Sequence, residues 1–538
     1  MHEHILSGIQ PKPIGSYLQA LGVLRILSEQ RDASATGHWT PEGFVLGTAL
    51  DRAELTRFFL EHYQPSPSVS PWNGAGGFYF RENKSTGIRD QETAATRALS
   101  AVAASTSGRF DTLRAAIGTA RVVVDEMSLS AAPGGADKVR LVNKLRDRLA
   151  DDAVAWIDAA LVVSAEDLGF PPLLGTGGTE GALDFASNYY QRLDELFDFA
   201  AGSPNPDSGH LLTAALFGEA IRGLNTKAAI GQFDPGNAGG GNAGPGFDGR
   251  SVVNSWLFVL LLEGAFLLAS ATTKKLGDEG PGALAYPFSV RAVGAGYASA
   301  AAADESDSRN ELWLPLWHMP TRSAELLRLF GEGRAEVGRR QAVHAVDFAR
   351  ALGTLGVDRG IDAFERYGFH KRNGKSYFAT PLGRWRVTRN PQLDLVDEAL
   401  GRWIDQLRSA ARSTYAPASW ERAAKVVERA LLRLAGAASP PPALVQSFLV
   451  ALAHAESTLG ATPNGRAKLA PVPRVSDKWL QSADDGSHEH ELALSLATTP
   501  IRERLSWAGG RAGRSGSPDG RSTMTIASYG RRLRSCAT

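Results

Sequence analysis

The chain of 538 residues is 43% hydrophobic and 21% charged, and its 58 Lys and Arg nearly balance 57 Asp and Glu for a net charge of +1. That composition predicts a globular protein of about three or four domains and excludes one that coats nucleic acid with its whole surface, so any polyanion site must be a local patch. The single cysteine, Cys536, excludes an internal disulfide framework and a cysteine-based zinc cage, in keeping with a reducing cytoplasm.

The opening MHEHILSGIQPKP has no cationic stretch followed by an apolar core, so nothing in it directs export and a cytoplasmic location is expected. Ser16 to Gln30 repeats Leu18, Leu21, Val23, Leu24 and Leu27 at helical spacing, which predicts a core helix. His38 to Leu46 predicts a strand pair, and Asp51 with Glu54 reads as the capping box of a helix running to Tyr63. Pro71 to Asp90 is a Gly- and Asn-rich loop, and its aromatics Trp72, Phe78, Tyr79 and Phe80 argue for order.

From Gln91 to Val163 the pattern is helical, with a break at Pro133-Gly134-Gly135. Its basic run of Lys138, Arg140, Lys144, Arg146 and Arg148 is better read as a solvated face than as a phosphate track. A second Gly-rich loop, from Pro171, runs into a helix bearing Asn188, Tyr189, Tyr190 and Gln191, and a third, Ala229 to Arg250, holds Gln232 and Asn242. The third precedes Val252 to Ser270, an apolar run interrupted by Asn254 and Glu263 and therefore a buried helix rather than a membrane span.

Gly244, Gly246 and Gly249 spell G-x-G-x-x-G, but no strand pattern precedes them and the first acid on the following helix is Glu263, so a dinucleotide site is rejected. No phosphate-binding G-x-x-x-x-G-K-[ST] occurs. Tyr286 to Val293 and Asn310 to Trp317 predict strands, Arg322 to Leu355 predicts helix, and beyond Asn390 the chain reads as helical almost throughout. After Arg504 the apolar period is lost in a Gly-, Ser- and Arg-rich tail.

The densest interleaving of cations and aromatics lies in Gly356 to Arg389. Arg366, Lys371, Arg372, Lys375, Arg384, Arg386 and Arg389 face only Glu365, while Phe364, Tyr367, Phe369, Tyr377, Phe378 and Trp385 alternate among them about an Asn373-Gly374 turn. This predicts a β-hairpin that contacts phosphates or stacks bases, and Arg339 and Arg340 extend the patch. The rival reading makes the aromatics core and the cations a solvated edge. The amides of Asn73, Asn188, Gln191, Gln232 and Asn242, in or beside the Gly-rich loops with Trp72, are candidates for reading base edges, although turn chemistry also explains asparagines there.

Hydrolytic chemistry on nucleic acid needs clustered carboxylates or histidines, and the only such run, His488-Glu489-His490-Glu491, lacks the H-E-x-x-H spacing. No G-x-S-x-G elbow occurs. The expectation is a protein without catalytic residues, bound metal or cofactor.

Taken together, LSGIQPKPIGSYLQALGVLRILSEQ, PWNGAGGFYF, PPLLGTGGTEGALDFASNYYQRL, AIGQFDPGNAGGGNAGPGF, ELWLPLW and VDRGIDAFERYGFHKRNGKSYFATPLGR resemble, in order and over roughly residues 4 to 500, the large subunit of the type I-G (formerly I-U) CRISPR effector complex. The resemblance implies a non-catalytic subunit of a guide-RNA surveillance complex. Such a subunit reads the motif flanking the target, helps separate the duplex and docks a helicase-nuclease. Its implied partners are guide RNA, target double-stranded DNA, the other subunits and that helicase-nuclease, with no membrane. Two alternatives stay open: a metal-dependent nuclease of unrecognised motif, and a purely structural scaffold. The family runs on into further helices where this chain has its tail, so the tail is expected to be disordered or aberrant.

The expected fold is α+β and mostly helical. The expected regions are 1–200, mixed α/β with Gly-rich loops; 201–390, with the apolar helix, strands and basic hairpin; 391–505, a helical domain; and 506–538, the tail.

Overall fold

The computed structural model describes residues 1–80, 92–163, 168–175, 179–180, 183–220, 224–228, 233–235, 251–269, 271–273, 283–290, 310–331, 333, 336–337, 340–342, 344–355, 360–372 and 376–498. The chain is α+β, mostly helical with small antiparallel sheets. It forms two compact units, one of Met1–Ser289, Ala301–Arg334 and Asp358–Trp385, the other of Val290–Ala300, Ala335–Val357 and Arg386–Thr538. The expected boundary at 200 falls inside the first unit, and that at 390 falls close to the junction at Trp385.

The first unit is built around α1 (Ile14–Gln30). Every residue from Ile14 to Leu27 is buried, the signature of a helix apolar on all sides. Strands β1 (His2–Leu6), β2 (Thr36–Thr40) and β3 (Gly43–Thr48) form an antiparallel sheet with β3 in the middle. Asp51 then caps the next helix by accepting from Glu54 N at 2.8 Å while the Glu54 carboxylate returns to Asp51 N at 2.9 Å. Helices α2 (Phe185–Leu196) and α3 (Ser255–Ala265) pack in turn, α3 on α1 and α2 on α3.

Backbones of α1 and α3 touch because two glycines allow it. A Cβ on Gly22 would sit 1.9 Å from the Leu260 carbonyl oxygen, and one on Gly264 the same distance from that of Leu18. The apolar run expected to be a buried helix is therefore the partner of the central helix. No described helix is long and apolar enough to cross a membrane.

A second sheet has the order β4 (Ser289–Val290), β5 (Glu311–Trp317), β7 (Ile361–Arg372) and β8 (Ser376–Arg386), with β8 at its edge. The intervening β6 (Thr321–Arg322) pairs with β2 in the first sheet. Tyr17 donates its hydroxyl to Pro315 O at 2.9 Å, and Trp317 donates its indole N–H to Gly37 O at 2.7 Å, tying β5 to α1 and β2. The expected continuous helix from Arg322 to Leu355 is instead two helices. The first ends at Gly331, and the short strands Glu336–Val337 and Arg340–Gln341 precede α4 (Ala345–Leu355).

The second unit is helical, with α4, α5 (Pro391–Ala399), α6 (Gly401–Ala411), α7 (Ala418–Ala435), α8 (Pro442–Gly460) and α9 (Pro463–Lys468). In α7 the buried residues Trp420, Ala424, Val427, Leu431 and Leu434 recur at helical spacing and make one apolar stripe. Asn390, fully buried, caps α5 by accepting from Gln392 N at 3.0 Å and donates to the α7-end carbonyls of Leu434 and Ala437 at 2.9 and 2.8 Å. Arg408 in α6 reaches Asp347 of α4 at 2.8 Å and Glu428 of α7, so three helices share one buried ionic cluster.

Candidate nucleic-acid interface

The β5–β7 register sets Trp313 opposite Arg366 and Leu314 opposite Glu365. Because side chains alternate along a strand, Arg366 falls on the Trp313 face and Glu365 on the other. The Arg366 guanidinium lies 4.7 Å from the Trp313 ring centroid and 5.7 Å from that of Trp385, and its Nε donates to Glu311 Oε1 at 2.7 Å. Glu311 is 1% exposed, and burial pushes its carboxyl up although Arg366 holds it down. Arg366 is thus the counterion of a buried acid, packed against a pair of neighbouring tryptophan rings, and its side chain is only 11% exposed. That geometry commits its charge to Glu311 and leaves little of it in solvent.

On the opposite face, Arg384 Nε donates to Glu365 Oε2 at 3.1 Å. Glu365 is fully buried and its Oε1 has no partner among the described residues, whereas Arg384 keeps 46% of its side chain in solvent. Arg386, two residues on, is exposed and has no partner among the described residues. Between them Trp385 is half-buried, its ring 5.3 Å from that of Trp313. Arg389 is differently employed, donating to Asp394 Oδ2 at 2.7 Å and to the Gly353 carbonyl at the end of α4 at 3.4 Å.

Lys371 and Arg372 belong to β7 and Arg340 to a short strand, but their side chains lie outside the described residues. So do Lys375 and Arg339, and with them the Asn373-Gly374 turn. Of the nine proposed cations, the described structure therefore turns Arg366, Arg384 and Arg389 toward protein acids, with Arg384 and Arg389 still about half in solvent, and leaves Arg386 exposed on the edge strand without a partner among the described residues.

Two of the loop candidates, Asn73 and Asn188, meet at Asp184, a residue that sequence reasoning did not single out. Asp184 is 1% exposed and caps α2, accepting from Ser187 N at 2.8 Å, from Ser70 Oγ at 3.1 Å and from Asn73 Nδ2 at 3.0 Å. Burial pushes its carboxyl up to about 6 despite these donors. Asn188 donates to the Asp184 carbonyl at 2.7 Å, and Gln191 donates to the Ser187 carbonyl at 3.2 Å. Trp72 is 2% exposed, in the same buried loop as Asn73. The amides of Asn73, Asn188 and Gln191 each donate within the protein, which is cap and turn chemistry. Gln232, Asn242 and the G-x-G-x-x-G glycines lie outside the described residues.

The basic helix Gly135–Arg148 is ion-paired: Lys144 and Arg148 both approach Glu126, at 3.7 and 2.6 Å, and Arg146 meets Asp158. Near the histidine run, Asp484, Asp485 and His490 each offer a ligand atom within 4.8 Å of the others. Asp485 accepts there from Ser487 Oγ at 2.6 Å, and this bond, with others from Ser487 N and Gln446, holds its carboxyl down at about 2.

No protein-family model matches the chain, and no curated protein matches it.

Proposed function

We propose that the chain is the large, non-catalytic subunit of a type I-G guide-RNA surveillance complex. It acts in the cytoplasm, without a cofactor, binds target double-stranded DNA beside the guide RNA, reads the flanking motif and docks a helicase-nuclease together with the other subunits. The order of the six quoted sequence segments supports the family assignment. The observation that carries DNA contact is the edge strand β8, on which Arg384 and Arg386 are exposed on either side of Trp385. Guanidinium groups on an edge strand suit phosphate oxygens, and they also keep that edge from pairing with another sheet.

The test is the salt dependence of duplex binding. Arg386→Gln is expected to lower the slope of log K against log salt by about one. An unchanged slope counts against phosphate contact by β8.

A structural scaffold is the second reading. It is favoured by Arg366, whose charge is turned onto buried Glu311. Complex assembly with no change in duplex affinity on mutating both Arg384 and Arg386 would favour it.

A further inference from the structure

Glu365 lies on β7, between β5 and the edge strand β8, with its side chain wholly out of solvent. Across the β5–β7 pair it sits opposite Leu314, and two residues along its own strand, on the same face, is Tyr367, whose hydroxyl donates to Pro11 O. Burial and the neighbouring Glu365 both push that phenol up, so Tyr367 stays neutral. Burial also pushes up the phenol of Tyr17 in α1, which Tyr367 raises further. The cation that Glu365 pairs with among the described residues is Arg384.

That pair is incomplete on both sides. Arg384 uses Nε alone, at 3.1 Å to Oε2, and its two terminal amino groups have no partner among the described residues. Glu365 Oε1 is buried and has none either. An unpaired buried oxygen costs stability, whereas a leucine opposite Leu314 would carry no such penalty. Stability therefore does not explain the acid. Nor does packing fix the backbone before Arg384: Gly383 takes φ +102°, and a Cβ there would meet nothing within 4 Å. Among the described residues, the hydrogen bond that holds the guanidinium is the one to Glu365.

We propose that Glu365 is a positioning residue for Arg384, holding it by Nε so that the two terminal amino groups are left as a fork for a phosphate of duplex DNA. The proposal rests on the duplex contact proposed for β8. Ordering a long side chain before the phosphate arrives removes part of the cost of ordering it at binding. Charge alone predicts the opposite sign, because an acid beside a polyanion site weakens binding and its removal tightens it.

The experiment uses the full chain and a short fluorescent duplex, titrated at several salt concentrations. In Glu365→Leu the melting temperature should hold or rise, because Arg384 is about half in solvent and is not stranded. Its duplex affinity should fall about 2- to 12-fold, the ordering cost of one side chain. Glu365→Met, which likewise cannot hold Nε, repeats the test with a side chain of nearly equal length. Glu365→Gln, whose amide oxygen still accepts from Nε, should recover most of the loss. In an Arg384→Gln background Glu365→Leu should change affinity no further. Duplex binding by Glu365→Leu and Glu365→Met that equals or exceeds wild type overturns the proposal, as does an equal loss with and without Arg384. If either occurs while Arg386→Gln still lowers the salt slope, Glu365 loses its role and the β8 reading stands. Unchanged affinity and slope in Arg384→Gln and Arg386→Gln alike would remove the duplex contact itself, and the proposal with it.

Discussion

Arg25 of α1 and Glu263 of α3 meet at 2.9 Å inside the first unit, with Arg25 8% exposed and Glu263 not exposed at all. Both are fully employed. Glu263 Oε1 accepts from the Tyr63 hydroxyl at 2.6 Å, the Tyr189 hydroxyl at 2.5 Å and Ser66 N at 3.0 Å, while Arg25 also reaches Ser66 Oγ at 3.2 Å and Glu29 at 3.0 Å. A buried ion pair stabilises only when its remaining hydrogen-bonding groups are satisfied, and removing one partner strands the other. Glu263→Ala is expected to cost about 3–5 kcal/mol, read as a fall in melting temperature, and Glu263→Gln less because the amide oxygen still accepts from the tyrosines. A melting temperature unmoved by Glu263→Ala would refute the pairing.

The close approach of α1 and α3 predicts opposite outcomes for two Gly→Ala changes. Gly22→Ala places its Cβ 1.9 Å from Leu260 O, and is expected to destabilise at or above the upper end of about 1–3 kcal/mol for overpacking. Gly118, exposed in the helix Asp111–Glu126, has nothing within 4 Å of a new Cβ, so Gly118→Ala should stabilise by about 1 kcal/mol through helix propensity. Thermal melts of both variants check this, and a harmless Gly22→Ala would contradict the helix contact.

Asp184 predicts a pH dependence. Its carboxyl titrates near 6 in the folded chain against an ordinary value of 3.8. Between those values the folded state retains a proton that the unfolded state has lost. The stability contributed by this group is therefore present at low pH and is lost as pH rises through about 6, by an amount on the order of 3 kcal/mol. Asp184→Asn should remove that slope. The difference in melting temperature between wild type and variant, followed from pH 4 to pH 7, is expected to shift toward the variant as pH rises. A constant difference would refute the assignment.

The hairpin predicts a separation of roles along one sheet. Arg366→Gln leaves Glu311 buried without its cation and should lower the melting temperature. Arg386→Gln should leave stability within about 0.5 kcal/mol, as surface changes usually do. Denaturation of the two variants side by side checks this, and a stable Arg366→Gln would contradict the stacked, ion-paired geometry.

How much of this was legible in sequence depends on how far apart the partners lie. The apolar helices, the Asp51–Glu54 box and the alternation of β7 and β8 are local patterns and read directly. Glu263 was visible as an interruption of an apolar run, but its pairing with Arg25 spans 238 residues and carries no local signal. Counting cations in the hairpin likewise could not tell Arg366 from Arg386, because Glu311, the acid that claims Arg366, lies 55 residues upstream on a strand whose register only the folded sheet fixes. Asp394, five residues beyond Arg389, was closer at hand. Asn73 and Ser70 meet Asp184 more than a hundred residues away, and only the fold brings the loop and the helix cap together.

The most direct measurement loads the complex with one guide and measures its binding to duplexes carrying the same target beside every flanking trinucleotide, with and without this chain. Flank preference that appears only when the chain is present, and weakens with Arg384→Gln and Arg386→Gln together, is the predicted result. The same preference without the chain would contradict the role proposed for it as reader of the flanking motif.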